Sequence, residues 1–297
     1  MKRAELLRQT ATLGLVSAAL PLKAGAATVT AEAAISPLVP PAKGVNVAFL
    51  LSDGAVMIDF AGPWEVFQDA NVVGRTQPAF NLYTVAESTE PIALSAGARI
   101  VPQYALAAAP APNVVVVPAQ ADPTAAVKRW LVATARQADL VMSVCTGAFV
   151  LAEAGLLDGL TVTTHHSAFA TLPMSFPKVT VVHGVRFVDN GRIATSAGLS
   201  AGIDLALHVV ARYYGKGVAR ATAYDMEYQS IHWLDAENSA YRKAPKPQPG
   251  YAICAVCWMA IDPRSSPMLS YQGKTYRFCM PAHEQIFASA PQRFIDA

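Results

Sequence analysis

With 297 residues, 53% of them apolar and 15% charged, the chain can bury at least one large core, and its composition excludes intrinsic disorder. The balance of 23 basic against 21 acidic residues gives a formal net charge of +2. No basic run interleaved with aromatics is present, so no nucleic acid is expected among the partners, and no stretch beyond the N-terminus is apolar for long enough to give a membrane span.

Residues 1–27 begin with Lys2, Arg3 and Arg8, continue through a short apolar centre from Leu13 to Leu20 and end on Ala24-Gly25-Ala26. That is the layout of an export signal peptide, so a periplasmic or otherwise exported protein is expected; an ordinary amphipathic helix is the alternative. Lys2-Arg3 ahead of Leu6-Leu7 resembles a degenerate twin-arginine signal.

From Val45 short β-branched runs alternate with helical stretches. The first strand is expected over Asn46–Leu51, followed by a helix with Pro63 in its first turn and Trp64, Phe67 and Ala70 behind it. Phe80–Ala86 and Val114–Val117 read as further strands. Asp122 should cap, and Pro123 open, a helix running towards Ala138. Leu140–Val144 has the continuous apolar character of a parallel strand covered on both faces. A strand over Thr161–Thr164 follows the next helix. Val185–Ser196 then reads as a hairpin, its Asn190-Gly191 pair suited to a type I′ turn. Two helices, Ser200–Tyr214 and Lys216–Gln229, are divided by Gly215. The alternation predicts an α/β domain over residues 43–237, flavodoxin-like and doubly wound around a mostly parallel sheet. A Pro/Lys-rich linker covers 238–250, and 251–297 form a small α+β domain too short to hold itself by apolar burial alone.

The string Ser143-Val144-Cys145-Thr146-Gly147 stands between a strand and an alanine-rich helix. Small residues two before and two after a nucleophile are what a tight strand-to-helix elbow demands. A cysteine at the start of a helix also gains thiolate character from the backbone N–H groups there. An inert packed cysteine is the competing reading.

Three stretches carry a family resemblance: Asp53–Phe67 (DGAVMIDFAGPWEVF), Ser143–His166 (SVCTGAFVLAEAGLLDGLTVTTHH) and Ala194–Val210 (ATSAGLSAGIDLALHVV). From Val45 to about Gln229 the chain resembles the DJ-1/PfpI superfamily, the class I glutamine amidotransferase-like fold, and within it the isonitrile hydratase-like branch. The resemblance implies Cys145 as nucleophile, Asp59 as its partnering acid and Thr146 as the threonine after the nucleophile. Asp59 read locally is also a candidate helix-start cap ahead of Pro63. Thr146 stands where hydrolytic relatives carry a histidine, and no His-x-Glu pair follows Ser196, so cysteine–histidine hydrolysis and glutaminase activity are not expected. Where relatives carry Gly-Gly for an oxyanion, this chain has Val117-Pro118-Ala119-Gln120. Ala119 can still offer its N–H, with Gly147 and His165 as further substrate- or oxyanion-binding positions. His166 beside His165 is read as binding or structural. No cofactor is required for the Cys145 chemistry.

Near the C-terminus, Cys254-x-x-Cys257 is followed by Cys279-x-x-x-His283. Three thiolates and an imidazole suit a tetrahedral soft-metal site for zinc or copper(I), whereas a Cys254–Cys257 disulfide with Cys279 free is the alternative. Tyr271–Tyr276 and Phe278-Cys279 resemble the YHS domain, in which a cysteine usually stands at the position of His283.

The resulting expectation is an exported, cysteine-dependent enzyme converting an isonitrile to an N-formamide, with a small-molecule substrate and a homodimeric state as relatives commonly have. The alternative is a non-catalytic redox sensor, or a copper- or zinc-handling protein. Transcriptional regulation is set aside because the tail reads as a metal module.

Overall fold

The structure, a computed structural model, describes residues 36–237 and 244–295; the expected export signal and part of the linker lie outside them. A seven-stranded sheet organises the larger part. Its strands are β1 (Val45–Leu50), β2 (Phe80–Ala86), β3 (Tyr104–Ala105), β4 (Val114–Val117), β5 (Leu140–Val144), β6 (Phe187–Asp189) and β7 (Ile193–Ser196). They lie in the order β6-β7-β5-β4-β1-β2-β3, all parallel except the β6–β7 pair. This is the flavodoxin-like arrangement expected from the alternating pattern. All side chains of β4 and β5 are buried, as central strands covered on both faces require.

One face is covered by α1 (Met57–Asp69), α4 (Ala201–Tyr214) and α5 (Lys216–Asp225), the other by α2 (Ala125–Ala135) and α3 (Gly147–Glu153). Two glycines let α4 lie close to its neighbours, Gly62 at the contact with α1 and Gly202 at the contact with β5. A Cβ on Gly62 would stand 2.9 Å from Ile203, and one on Gly202 would stand 2.8 Å from Val144.

Local details depart from the sequence expectations in informative ways. Helix α1 begins at Met57, so Pro63 lies inside it rather than in its first turn. Helix α2 is capped by Thr124, whose Oγ1 accepts from Val127 N at 3.2 Å, not by Asp122; Pro123 precedes the helix. Thr161–Val162 pairs with Thr180–Val181 outside the main sheet. At the β6–β7 turn Gly191 alone takes positive φ (89°) while Asn190 N donates to Ile193 O. Glycine at the first central position is the type II′ requirement, which replaces the expected type I′.

The C-terminal part has two small antiparallel pairs, β8 (Ala252–Ile253) with β9 (Ala260–Ile261) and β10 (Met268–Tyr271) with β11 (Lys274–Arg277), followed by α6 (Pro281–Ser289). Gln272 and Gly273 both have positive φ, so a type I′ turn joins β10 to β11. No helix among the described residues is long and apolar enough to cross a membrane.

Candidate functional sites

Register places the elbow. Val117 pairs with Ser143, and Ser196 with Val144, so β4, β5 and β7 end almost level. Cys145 therefore leaves the carboxyl edge of the sheet between Pro118-Ala119 on one side and Ala197-Gly198 on the other, the edge where open α/β sheets place their ligands. Its backbone sits at φ 60°, a left-handed conformation that costs a side-chain-bearing residue on the order of 1–3 kcal/mol. Two contacts hold it there: Cys145 N donates to Ala197 O at 3.1 Å, and Thr164 Oγ1 donates to Cys145 O at 2.8 Å. Cys145 is 4% exposed. Thr146 follows as the N-cap of α3, half-buried, with no side-chain cap hydrogen bond.

Gly147 is required for a different reason from conformational freedom. A Cβ there would collide with the carbonyl oxygens of Val117 and Pro118. Because the obstacle is backbone, Gly147→Ala is expected to destabilise the protein by about 2–3 kcal/mol, read as a lowered urea midpoint. An unchanged midpoint would show that α3 does not rest on the β4 end.

Asp59 lies in the first turn of α1 and is fully buried. The N-cap of that helix is Val56, with no side-chain cap bond, so Asp59 does not serve as the cap. Its Oδ2 accepts from Ala119 N at 3.1 Å, which ties α1 to the loop after β4. The amide anticipated as an oxyanion donor is thus engaged with the carboxylate. The same loop is laced to the β1 end by Val56 N donating to Ala119 O at 2.8 Å and Ser52 N donating to Gln120 Oε1 at 2.8 Å.

His165 rests so closely on Gly198 that no Cβ fits there, and its Nδ1 lies 2.7 Å from Ser167 Oγ. His166 turns the other way: its Nδ1 is 2.6 Å from Cys257 O in the C-terminal part. Sequence separation of 91 residues hid this contact. No local pattern signals it.

The second site joins Cys254, Cys257, Cys279 and His283, all free of disulfides, with ligand atoms within 4.8 Å of one another. Cys254 and Cys257 come from the knuckle after β8, which Trp258 N→Cys254 O (2.9 Å) and Cys254 N→Met259 O (2.9 Å) close. Cys279 precedes α6, and Pro281 starts that helix so that His283 faces back. Cys257 Sγ is 3.6 Å from Cys279 Sγ, and His283 Nδ1 is 3.5 Å from Cys254 Sγ and 3.1 Å from Cys279 Sγ. Around a tetrahedral zinc, bond lengths of about 2.3 Å to sulfur and 2.0–2.1 Å to nitrogen give edges of roughly 3.6–3.8 Å, so the donor set fits such an ion. The sulfurs also compete for charge. Hydrogen bonds from Cys257 and Cys279 hold the Cys254 thiol far below the ordinary thiol range. The same hydrogen bond with Cys254 pushes Cys257 far up, and that with Cys254 pushes Cys279 up to about 12. A soft cation would remove this competition by stabilising all three thiolates together.

A model of the DJ-1/PfpI family matches residues 45–212. The chain is 30% identical over 190 residues to the HTH-type transcriptional regulator GbdR of Pseudomonas aeruginosa, covering 63% of this chain and 51% of that protein, so it spans about half the length of that relative. It is 29% identical over 189 residues to an isonitrile hydratase of Pseudomonas putida, covering 62% of this chain and 78% of the hydratase. Among solved structures, a THiJ/PfpI family protein from Pseudomonas syringae superposes with a TM-score of 0.56 at 27% identity, covering 63% of this chain and 76% of that one. The regulators overturn the expectation that nucleic acid lies outside this protein's range of partners. Net charge and the lack of a basic run describe composition, whereas the matching α/β region occurs in relatives named as HTH-type regulators.

Proposed function

The chain belongs to the DJ-1/PfpI family, and from that premise we propose that Cys145 is a nucleophile for a small electrophilic substrate of the isonitrile class. The observation that carries this reading is the strained, bonded elbow: Cys145 at φ 60° on the carboxyl edge of the sheet, behind the Asp59–Ala119 link. Strain of this kind is kept where chemistry uses it. Sulfur adds to the terminal carbon of the isonitrile, and the proton reaches that carbon through Asp59, giving a thioimidate. Water, oriented by Thr146, then adds to the carbon–nitrogen double bond. The carbon–sulfur bond breaks as the carbonyl forms, the hydroxyl proton returns through Asp59, and an N-formamide leaves. Gly147 and His165 line the approach, and Ala119 acts by holding Asp59.

The C-terminal module, read as YHS-like, is proposed to bind zinc or copper(I) through Cys254, Cys257, Cys279 and His283. Export and a homodimeric state belong to the same proposal. The four-ligand cluster also favours a second reading, in which the protein senses or carries metal and the α/β domain is its scaffold. Metal that exchanges within minutes with a competing chelator, together with no turnover, would support it.

The test is formation of N-formamide from a simple isonitrile, followed by NMR. Asp59→Asn removes the acid and keeps an acceptor oxygen for Ala119 N. It is expected to lower kcat by about 10²–10⁴-fold with an unchanged urea midpoint. Equal kcat in Asp59→Asn and wild type would remove Asp59 from the proton path.

A further inference from the structure

The two sites share one short piece of chain, residues Thr164–Ala170. Its first residue belongs to the elbow, since Thr164 Oγ1 donates to the Cys145 carbonyl. His165 packs on Gly198, which follows Ala197, the acceptor of the Cys145 amide. Its far end belongs to the metal module. Ala170 is buried in the core cluster that contains Cys254, Cys257, Phe278 and Phe287. Between the two ends, His166 Nδ1 meets the carbonyl of Cys257 at 2.6 Å. The rings of His165 and His166 are 4.2 Å apart, so a shift of one is felt by the other. A second strut runs alongside: Phe169 packs on His183 (5.3 Å between centroids), and His183 packs edge-on against Trp258 (5.6 Å, 87°). Trp258 directly follows Cys257 and holds a left-handed φ of 62°.

We infer that metal occupancy of the C-terminal cluster and the reactivity of Cys145 form one coupled equilibrium, with His166 as the positioning residue that links them. The inference rests on the readings of Cys145 as a reactive thiol and of the cluster as a metal site. The physical chain is short. A bound ion fixes Cys254 and Cys257 in one knuckle and so fixes where the Cys257 carbonyl and Trp258 stand. Those two groups hold His166 and, through His183, Phe169. With the ion gone, the sulfurs no longer converge, the carbonyl leaves His166, and the wall beside Cys145 loosens. Coupling must run both ways, because linkage is reciprocal. Whatever fixes the wall must also help retain the metal.

The experiment is peptide-resolved alkylation of the full chain with iodoacetamide, with metal content measured on the same samples. Removing zinc with a chelator is expected to speed alkylation of Cys145 by about fivefold or more, within the usual range of coupling between sites. His166→Ala, measured with its metal still bound, is expected to speed Cys145 alkylation likewise. It is also expected to speed zinc transfer to a chromogenic chelator. The variant needs no metal removal, so unfolding of an apo module cannot mimic its effect. Metal that binds and leaves with no change at Cys145, or a His166→Ala protein indistinguishable from wild type in both rates, would overturn the coupling while leaving both site readings intact. A chain that binds no metal at all would overturn it together with the metal reading.

Discussion

Removing bound metal, or replacing Cys254 by Ser, is expected to unfold the C-terminal module while the seven-stranded sheet stays folded. The reason is size. Beside the ligand cysteines, the module's core contains few buried apolar side chains, chiefly Val256, Ile261, Phe278, Ile286 and Phe287. A segment this short does not reach net stability by apolar burial, because ordering its backbone costs about as much as the burial contributes. Structural zinc in comparable small modules contributes apparent binding free energies of about 10–16 kcal/mol, which is the folding free energy itself. Cys254 is fully buried, so a serine there loses a ligand and leaves a hydroxyl among the remaining sulfurs. The measurement is hydrogen exchange resolved by peptide: full loss of protection over 252–289, with β1, β4 and β5 unchanged. Protection that survives chelation would show that the module folds by burial alone.

Replacement of Cys145 by Ala is expected to lower isonitrile turnover by about 10⁴-fold or more, since a covalent nucleophile has no substitute in its own site. Stability should barely move. Cys145 belongs to the main buried cluster together with Val144 and Ala119, and losing one sulfur atom there costs about 1 kcal/mol or less. The backbone supplies a sharper check. Alanine inherits the left-handed φ of 60°, whereas glycine adopts it without penalty, so Cys145→Gly should be about 1 kcal/mol more stable than Cys145→Ala. Urea midpoints of the two variants decide the point. The same midpoint in both would mean that the elbow stores no strain.

Much of the framework could be read from local pattern. Runs such as Val114–Val117 and Leu140–Val144 are apolar throughout because central parallel strands face helices on both sides, and that signature survives in one sequence. The elbow was legible for a similar reason. Gly147 faces the carbonyls of the neighbouring strand end, and only glycine fits, so the motif carries its own steric explanation. Helix starts were read less well. Thr124 competed successfully with Asp122 because its hydroxyl reaches Val127 N from the last residue before the helix. Pro63 misled because its neighbours allow a helix to begin at Met57. Contacts between distant segments left no trace in the pattern. Neither the Asp59–Ala119 bond nor the His166–Cys257 bond has a sequence motif, since each depends on how the sheet edge and the C-terminal knuckle come together.

Peptide-resolved mass spectrometry of the wild-type protein, acid-quenched during turnover of a simple isonitrile and run beside Cys145→Ala, reads the covalent route directly, with N-formamide followed in both. The expected result is a mass increase equal to one isonitrile on the wild-type peptide carrying Cys145, and N-formamide from wild type but not from Cys145→Ala. N-formamide produced at an undiminished rate by Cys145→Ala, or neither adduct nor product from the metal-loaded protein, would contradict it.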